Sequence, residues 1–140
     1  MKHAFRTVHP TQSWERAASE PAIYDGPFHR AGERVVYAWS ESELAALSAA
    51  FMCAGINPDE MLWEKLMLPA ESRIVDLSAS ESVSPDLLAQ LHKGDILGAW
   101  VPTSLAPEGM ALVVNPAHPR FGEIKVADKR FITPPTRRSA

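Results

Sequence analysis

The side chains best suited to chemistry lie in two polar stretches of the chain. His29 and Arg30 stand in a glycine-flanked loop, where an imidazole can hydrogen-bond a sugar hydroxyl and a guanidinium can bind a phosphate. Thr103 and Ser104 follow an extended run that ends at Val101-Pro102, and their hydroxyls can donate to a phosphate. Each pair also has a structural alternative, namely solvated loop side chains for the first and turn hydrogen bonds for the second.

Other kinds of site lack their sequence signatures. The five histidines show no metal-ligand spacing and one cysteine, Cys53, cannot build a zinc cluster, so no metal site is expected. Cys53 lies in an apolar run that is typical of a buried, inert thiol. The chain has no Walker loop, no G-x-G-x-x-G fingerprint and no G-x-S-x-G nucleophile elbow. A net charge of -3 gives no basic field, so direct nucleic-acid binding is not expected.

Hydrophobic periodicity predicts the elements that must position these residues. Ser40 and Glu43 form an S-x-x-E capping box before apolar residues at helical spacing, which predicts a helix over 40–54. A serine-proline start predicts a second helix over 84–93, and the aperiodic segment 9–26 is predicted to be mostly loop. Strands are predicted at 3–8, 34–39, 61–68, 74–77, in the run that ends at 102, at 111–114 and at 123–126.

Two helices among about six strands predict a mixed α+β fold. A length of 140 residues suits one domain, placed at 1–132, with a proline-containing tail at 133–140 predicted to be flexible. No apolar run approaches the roughly 18 residues of a membrane span, and the start lacks a signal-peptide core, so no membrane contact is expected. A single cysteine fits a reducing, cytoplasmic setting.

Two groups of motifs resemble the RES domain, a family named after three functional residues, Arg, Glu and Ser. The C-terminal group spans 99–131 and consists of V-P-T-S, then N-P-A-H-P, then a closing strand. The N-terminal group spans 26–37, with two glycines and a V-V-Y strand that ends at Tyr37. The resemblance implies that 1–132 is a single RES-like domain, with a mostly antiparallel sheet core and a few helices, similar to the ADP-ribosyltransferase-like fold.

The resemblance also implies roles for individual residues. Tyr37 matches the tyrosine that the family places beside the nicotinamide of NAD, where an aromatic ring can stack. Its alternative is a half-buried strand tyrosine whose hydroxyl is hydrogen-bonded within the protein. Arg6 matches an arginine of the family's opening strand and is a phosphate candidate, with a strand-edge salt bridge as its alternative. Thr103 stands at the family's serine, with Ser104 next to it, and Ser48 stands where the family's helix glutamate lies.

The chain departs from the family's pattern at two charged positions. Pro27 stands where the family has its arginine, and Ser48 cannot supply the negative charge of the missing glutamate. Losing such a group typically costs about 10²–10⁴ in rate. Arg30 and His29 are the predicted replacements, the first for phosphate binding and the second for a ribose hydroxyl. Asn115, in the N-P motif, is predicted to tie a turn, with a ligand contact as its second role.

The function implied by the resemblance is that of a toxin in a type II toxin–antitoxin pair. NAD would be the substrate, for ADP-ribosyl transfer to a protein target or for hydrolysis or phosphorolysis. A cognate antitoxin would cover the active-site cleft, and a homodimer is compatible with the sequence. The alternative is a catalytically inactive RES-fold binding module that engages a partner protein. Pro27 and Ser48 favour the module, whereas the retained Tyr37 and basic loop favour the enzyme.

Overall fold

The computed structural model describes residues 3–52, 61–70, 73–80, 82–106 and 108–132. The predicted tail at 133–140 and Cys53 lie outside these ranges. The strands are β1 (His3–Val8), β2 (Val36–Trp39), β3 (Met61–Met67), β4 (Ile74–Asp76), β5 (Gly98–Pro102), β6 (Met110–Val114) and β7 (Lys125–Ile132). The helices are α1 (Trp14–Ser19), α2 (Ser42–Met52) and α3 (Leu87–Lys93), with short 3-10 turns at Pro10–Gln12 and Phe121–Glu123.

The described strands form one sheet in the order β4-β5-β6-β2-β1-β3-β7. Only the β4–β5 pair is parallel among these neighbours, and all the others are antiparallel. The prediction of a mixed α+β fold with a mostly antiparallel sheet and a few helices is therefore confirmed. The two motif stretches meet in this sheet, because β2 pairs directly with β6.

One side of the sheet, the α1 face, is covered by α1. Successive side chains of a strand point to opposite sides, so the paired residues Ala38 and Leu112 share a face, as does Ala4 on β1. All three are buried in one cluster with Trp14 and Ala18 of α1. The indole of Trp14 also stacks on Phe121, with ring centroids 5.0 Å apart.

The other side of the sheet, the α3 face, carries both longer helices. Leu87 and Leu91 of α3 pack there against the inward-facing residues of β5 and β6. The helix α2 starts above β3, where the indole N–H of Trp63 donates to the Ser42 hydroxyl at 2.9 Å. The side chains of Tyr37 and Trp39 lie on this face, between the two helices.

The structure differs from the predicted elements between β1 and β2 and at the start of α2. Half of the segment 9–26 is helical rather than loop, since it contains the 3-10 turn at Pro10–Gln12 and α1, whose apolar face is short. Ser40 does not cap α2, because its hydroxyl accepts a hydrogen bond from the Met110 N–H at 3.2 Å. The Ser40 N–H also donates to the Met110 carbonyl, so this residue extends the β2–β6 pairing and the helix starts later.

The edge strand β7 is longer than predicted. It covers eight residues rather than ending at Val126, and most of its side chains are exposed. The residues of an exposed edge strand do not alternate between apolar and polar, because neither face of the strand is fully buried. Its length therefore cannot be predicted from such an alternation. The pairing with β3 shifts register between Lys65 and Leu66, so Ala127 is an extra residue in a bulge. Bulges and charged side chains discourage further strands from adding to an edge.

Among the described residues, no helix is long and apolar enough to cross a membrane.

Candidate functional site

A cleft of about 440 Å³ opens on the α3 face. It lies between α2, the loop before β2 and the corner after β5. Its described lining residues come from five separate segments: Pro27, Phe28, Tyr37, Trp39, Ser48, Pro102, Thr103, Ser104, Leu105 and Ala111. The cleft therefore brings together four of the predicted site residues: Tyr37, Ser48 and the adjacent pair Thr103 and Ser104.

The strand β2 supplies the aromatic floor of this cleft. Tyr37 and Trp39 are two residues apart, so they point to the same side and are separated by about 6.6 Å along the strand. Tyr37 is paired with Val113 and Trp39 with Ala111, in the centre of the sheet. A central strand with buried neighbours on both sides holds both rings in place.

The hydroxyl of Tyr37 is held by His29. The Nε2 atom of His29 lies 3.0 Å from the carbonyl oxygen of Tyr24, and because a carbonyl only accepts, Nε2 is assigned the proton. The Nδ1 atom of the neutral ring is then an acceptor, and the Tyr37 hydroxyl donates to it at 2.7 Å. His29 thus positions Tyr37 and has both ring nitrogens engaged.

The electrostatic environment keeps Tyr37 neutral. Burial raises the pKa of Tyr37 to about 12, the Glu33 carboxylate adds to this, and the backbone amide of Phe28 opposes it. The phenol is therefore protonated at neutral pH, so it donates to His29 and does not act as a phenolate nucleophile.

Gly26 lets the loop close around His29. Its N–H donates to the His29 carbonyl at 3.0 Å, and a Cβ at this position would lie 2.1 Å from Cε1 of the His29 ring. Only a glycine fits against the ring at that distance. The loop also turns at Gly32, whose φ of +90° favours glycine.

The hydroxyl residues of the cleft come from two elements. Ser48 reaches it from α2, and Thr103 and Ser104 reach it from the corner after β5. The Thr103 Oγ1 accepts a hydrogen bond from the Leu105 N–H at 3.2 Å, which is the turn role named as its alternative. That bond leaves the Thr103 hydroxyl proton available for a ligand.

Arg6 lies away from the cleft, on the α1 face. Its guanidinium is 5% exposed, pairs with Glu64 on β3, and donates to the carbonyls of Gln12 and Tyr37. Burial lowers the pKa of Arg6, and the Glu64 carboxylate opposes that effect. Because the sheet separates the Arg6 side chain from the cleft, its salt-bridge alternative describes it better than phosphate binding.

Arg30 is also absent from the described cleft lining. Its Nε donates to the Asp86 carboxylate at 2.7 Å, just before α3, and both side chains are exposed. The hydrogen bond to Asp86 raises the pKa of Arg30 above its ordinary value. Arg30 therefore connects its loop to α3, and the structure does not bring it together with Tyr37 in the cleft.

Asn115 lies at the far end of β6 from the cleft. Its amide donates to the Ile96 carbonyl at 3.4 Å, and its side-chain oxygen accepts from the Ala117 N–H at 3.2 Å. It is 3% exposed. Its first predicted role, to tie a turn, is the one that its contacts fit, since the cleft opens beside Ala111 at the other end of the strand.

Sequence reasoning missed the aromatic neighbours of Tyr37. Trp39 falls in the predicted strand at 34–39 and Phe28 in the motif group at 26–37, and neither is among the predicted site residues. Strand periodicity could have identified Trp39, because residues two apart on a strand share a face. Phe28 carries no such signal, since only the folded loop brings it into the cleft.

The cleft is apolar with a few hydroxyl groups. None of its described lining residues carries a charged side chain. Within the described ranges, no group of three or more His, Cys, Asp or Glu side chains could hold a metal ion. Such a lining can bind a flat ring and hydrogen-bond its substituents, but it offers no carboxylate or guanidinium to a reacting group.

A second groove, of about 450 Å³, lies on the α1 face between α1 and β7. Glu64 lines it, but both carboxylate oxygens are engaged, one by Arg6 and one by the Trp14 N–H at 3.0 Å. None of the predicted site residues lines this groove. The cleft on the α3 face is therefore the better candidate.

No family model matches the chain, and no curated protein shows significant sequence similarity to it.

Proposed function

We propose that the cleft binds NAD by its nicotinamide end and that the chain is the NAD-using toxin of a type II toxin–antitoxin pair. The reaction would be ADP-ribosyl transfer to a protein target, or cleavage of NAD by water or phosphate. The proposal assigns to this chain the function that its RES-like motifs imply. It also includes a cytoplasmic location and a cognate antitoxin that covers the cleft.

One observation carries this proposal. Tyr37, Ser48 and the adjacent pair Thr103-Ser104 are predicted site residues from three separate parts of the chain, and all of them line the same cleft. Positions of an unrelated chain that match a family's functional residues by chance have no reason to converge in space. Their convergence beside Tyr37 supports a ligand site of the kind that the motifs imply.

The chemistry proposed for this cleft is the breaking of one bond. The bond between the nicotinamide nitrogen and C1′ of its ribose breaks, and its electron pair leaves with nicotinamide. A lone pair of the acceptor then bonds to C1′, and the acceptor loses a proton to solvent or to a nearby base. Tyr37 and Trp39 would face the charged ring, and the hydroxyls of Ser48 and Thr103 would orient the ribose.

The test is nicotinamide release by purified protein incubated with NAD, with and without phosphate and cell extract. We expect release above a blank, with label from NAD on a protein if the acceptor is a protein. Tyr37→Ala should reduce release at least tenfold. Tyr24→Ala is the matched control, since the Tyr24 side chain is 79% exposed and outside the described cleft lining. Absence of release under every condition would reject the enzyme.

Growth arrest on expression tests the biological role. Wild-type protein should arrest growth, Tyr37→Ala should not, and Tyr24→Ala should behave as wild type. If Tyr37→Ala arrests growth as fully as wild type, toxicity does not come from this cleft.

The uncharged lining favours a second candidate, a catalytically inactive binding module. Without a carboxylate among the described lining residues, the oxocarbenium-like charge that develops at C1′ has no anionic partner there. This candidate predicts saturable NAD binding without nicotinamide release. It also predicts that a partner protein competes with NAD for the cleft.

A further inference from the structure

Aromatic rings dominate the binding surface of the cleft. Phe28, Tyr37 and Trp39 line it together, and its polar groups are the hydroxyls of Ser48, Thr103 and Ser104. An aromatic face carries partial negative charge and attracts a cation, most strongly where water is excluded. The surface therefore suits a flat cationic ring joined to a group that carries hydroxyls.

The two arginines predicted to bind phosphate are both engaged outside the cleft lining. Arg30 is bonded to Asp86 at 2.7 Å outside the cleft lining, and Arg6 is buried with Glu64 on the opposite face of the sheet. A diphosphate gains its affinity mainly from charge-assisted hydrogen bonds with such groups. The described lining of this cleft provides only uncharged donors for that purpose.

We infer that the cleft recognises N-substituted pyridinium rings with an attached ribose, and that a diphosphate adds little to their affinity. The ligand class is thus the pyridinium nucleosides, including phosphate-free ones such as nicotinamide riboside. This inference rests on the proposed function, because it specifies which half of NAD the same cleft binds.

Calorimetric titration of the wild-type protein tests this with matched pairs of ligands. The nicotinamide ring is cationic in NAD and neutral in NADH. NAD should therefore bind about 2- to 30-fold more tightly than NADH, which is the range expected for a cation–π contact. Nicotinamide riboside lacks the diphosphate and adenosine of NAD. The affinities of the protein for NAD and for the riboside should agree within about 3-fold. ADP-ribose, which lacks the ring, should not compete.

Variants of Trp39 test the aromatic contact. Trp39→Leu should weaken nicotinamide riboside about 2- to 30-fold, Trp39→Phe should restore most of the loss, and Tyr24→Ala should have no effect. If Trp39→Leu does not fold, the wild-type ligand pairs still decide. An affinity for NAD more than about 3-fold above that for the riboside, equal affinities for NAD and NADH, or no binding of the riboside would each overturn the inference.

These outcomes separate the inference from the proposed function. If NAD and the riboside bind equally but no nicotinamide is released and no growth arrest occurs, ring recognition stands and the toxin activity fails. If nicotinamide is released but ADP-ribose competes as well as NAD, the activity stands and ring recognition fails.

Discussion

Tyr37 is the residue on which the candidate site depends most. Its position on a central strand fixes the ring, and its hydrogen bond to His29 fixes the hydroxyl at 2.7 Å. His29 in turn is held by the Tyr24 carbonyl and by close contact with Gly26. A chain of fixed contacts of this kind makes the site rigid before a ligand arrives.

Alkaline titration should report the burial of Tyr37. In a Tyr24→Phe background, Tyr37 is the remaining tyrosine, and its phenolate absorbance should appear with a midpoint near pH 12. The unfolded chain loses the proton near pH 10, so the stability due to the neutral phenol is present below pH 10 and is lost between pH 10 and 12.

The same titration has a thermodynamic counterpart. The free energy of unfolding of the Tyr24→Phe protein should fall by about 1–2 kcal/mol relative to that of Tyr24→Phe/Tyr37→Phe over this range, after allowance for solvent screening of a partly exposed ring. An ionisation midpoint near pH 10 would show that the Tyr37 hydroxyl is not buried as described.

Gly26→Ala should disrupt the loop. The added Cβ would lie 2.1 Å from the His29 ring, so the ring must leave its hydrogen bonds to Tyr24 and Tyr37. Two lost hydrogen bonds predict a destabilisation of about 1–3 kcal/mol, measured by chemical denaturation. Gly122→Ala is the control, because a Cβ added at this position would have no neighbouring atom within 4 Å. Equal stability of the two variants would contradict this packing.

At the scale of elements, the ion pair between Arg6 and Glu64 joins three parts of the α1 face. Arg6 lies on β1 and Glu64 on β3, directly opposite each other, and Glu64 also accepts from the first N–H of α1. The pair is buried, so the three elements depend on one another for their hydrogen bonds. This explains how a short helix such as α1 is held on the sheet.

Breaking this ion pair should destabilise the protein without affecting the cleft. Arg6→Met leaves a buried, unpaired carboxylate and should cost about 3–5 kcal/mol of unfolding free energy. Arg6→Met with Glu64→Gln should recover at least half of that, because the amide oxygen still accepts from the Trp14 N–H. Denaturant unfolding measures both variants.

Ligand binding by these variants distinguishes a structural role of Arg6 from a role in phosphate recognition. The affinity of the double variant for NAD and for nicotinamide riboside should stay within about 2-fold of wild type, since Arg6 is on the other face of the sheet. A selective loss of NAD affinity in the double variant would return Arg6 to a phosphate-binding role.

At the scale of the whole molecule, charge is distributed unfavourably for an anionic ligand. The chain has a net charge of -3, and the described cleft lining is uncharged. Long-range attraction therefore cannot draw a diphosphate to the cleft. Binding has to come from short-range contacts with the ring and the ribose.

The salt dependence of binding tests this property. Between about 50 and 500 mM salt, NAD affinity should stay constant or rise by less than about 2-fold, because screening weakens repulsion by the acidic protein. The affinity of 1-methylnicotinamide, a cation methylated on its pyridine nitrogen, should fall slightly over the same range. A fall in NAD affinity of more than about 5-fold with added salt would indicate a cation bound to the diphosphate.

Much of the fold was predictable because burial imposes periodicity. The strands β1, β2, β3 and β6 were predicted within two residues of their observed ends, since each has a buried face or two. The helix α1 and the part of β7 beyond Val126 were missed, because their exposed or polar residues carry no such pattern. Ser40 was misassigned because local capping competes with strand pairing, and a partner 70 residues away decided it.

The sequence by itself determined the α+β class and the positions of most strands. Its resemblance to the RES domain supplied Tyr37, Ser48, Thr103 and Ser104 as site candidates, together with Arg6, His29, Arg30 and Asn115. Residue type and local periodicity are properties of the chain alone, so they can be read from it. Only the tertiary structure decided that the first four of these candidates share a cleft, that Trp39 and Phe28 complete it, and that Arg6 and Arg30 do not. A side chain's partners depend on which face of the sheet it occupies and on what the fold places opposite, and neither is a local property.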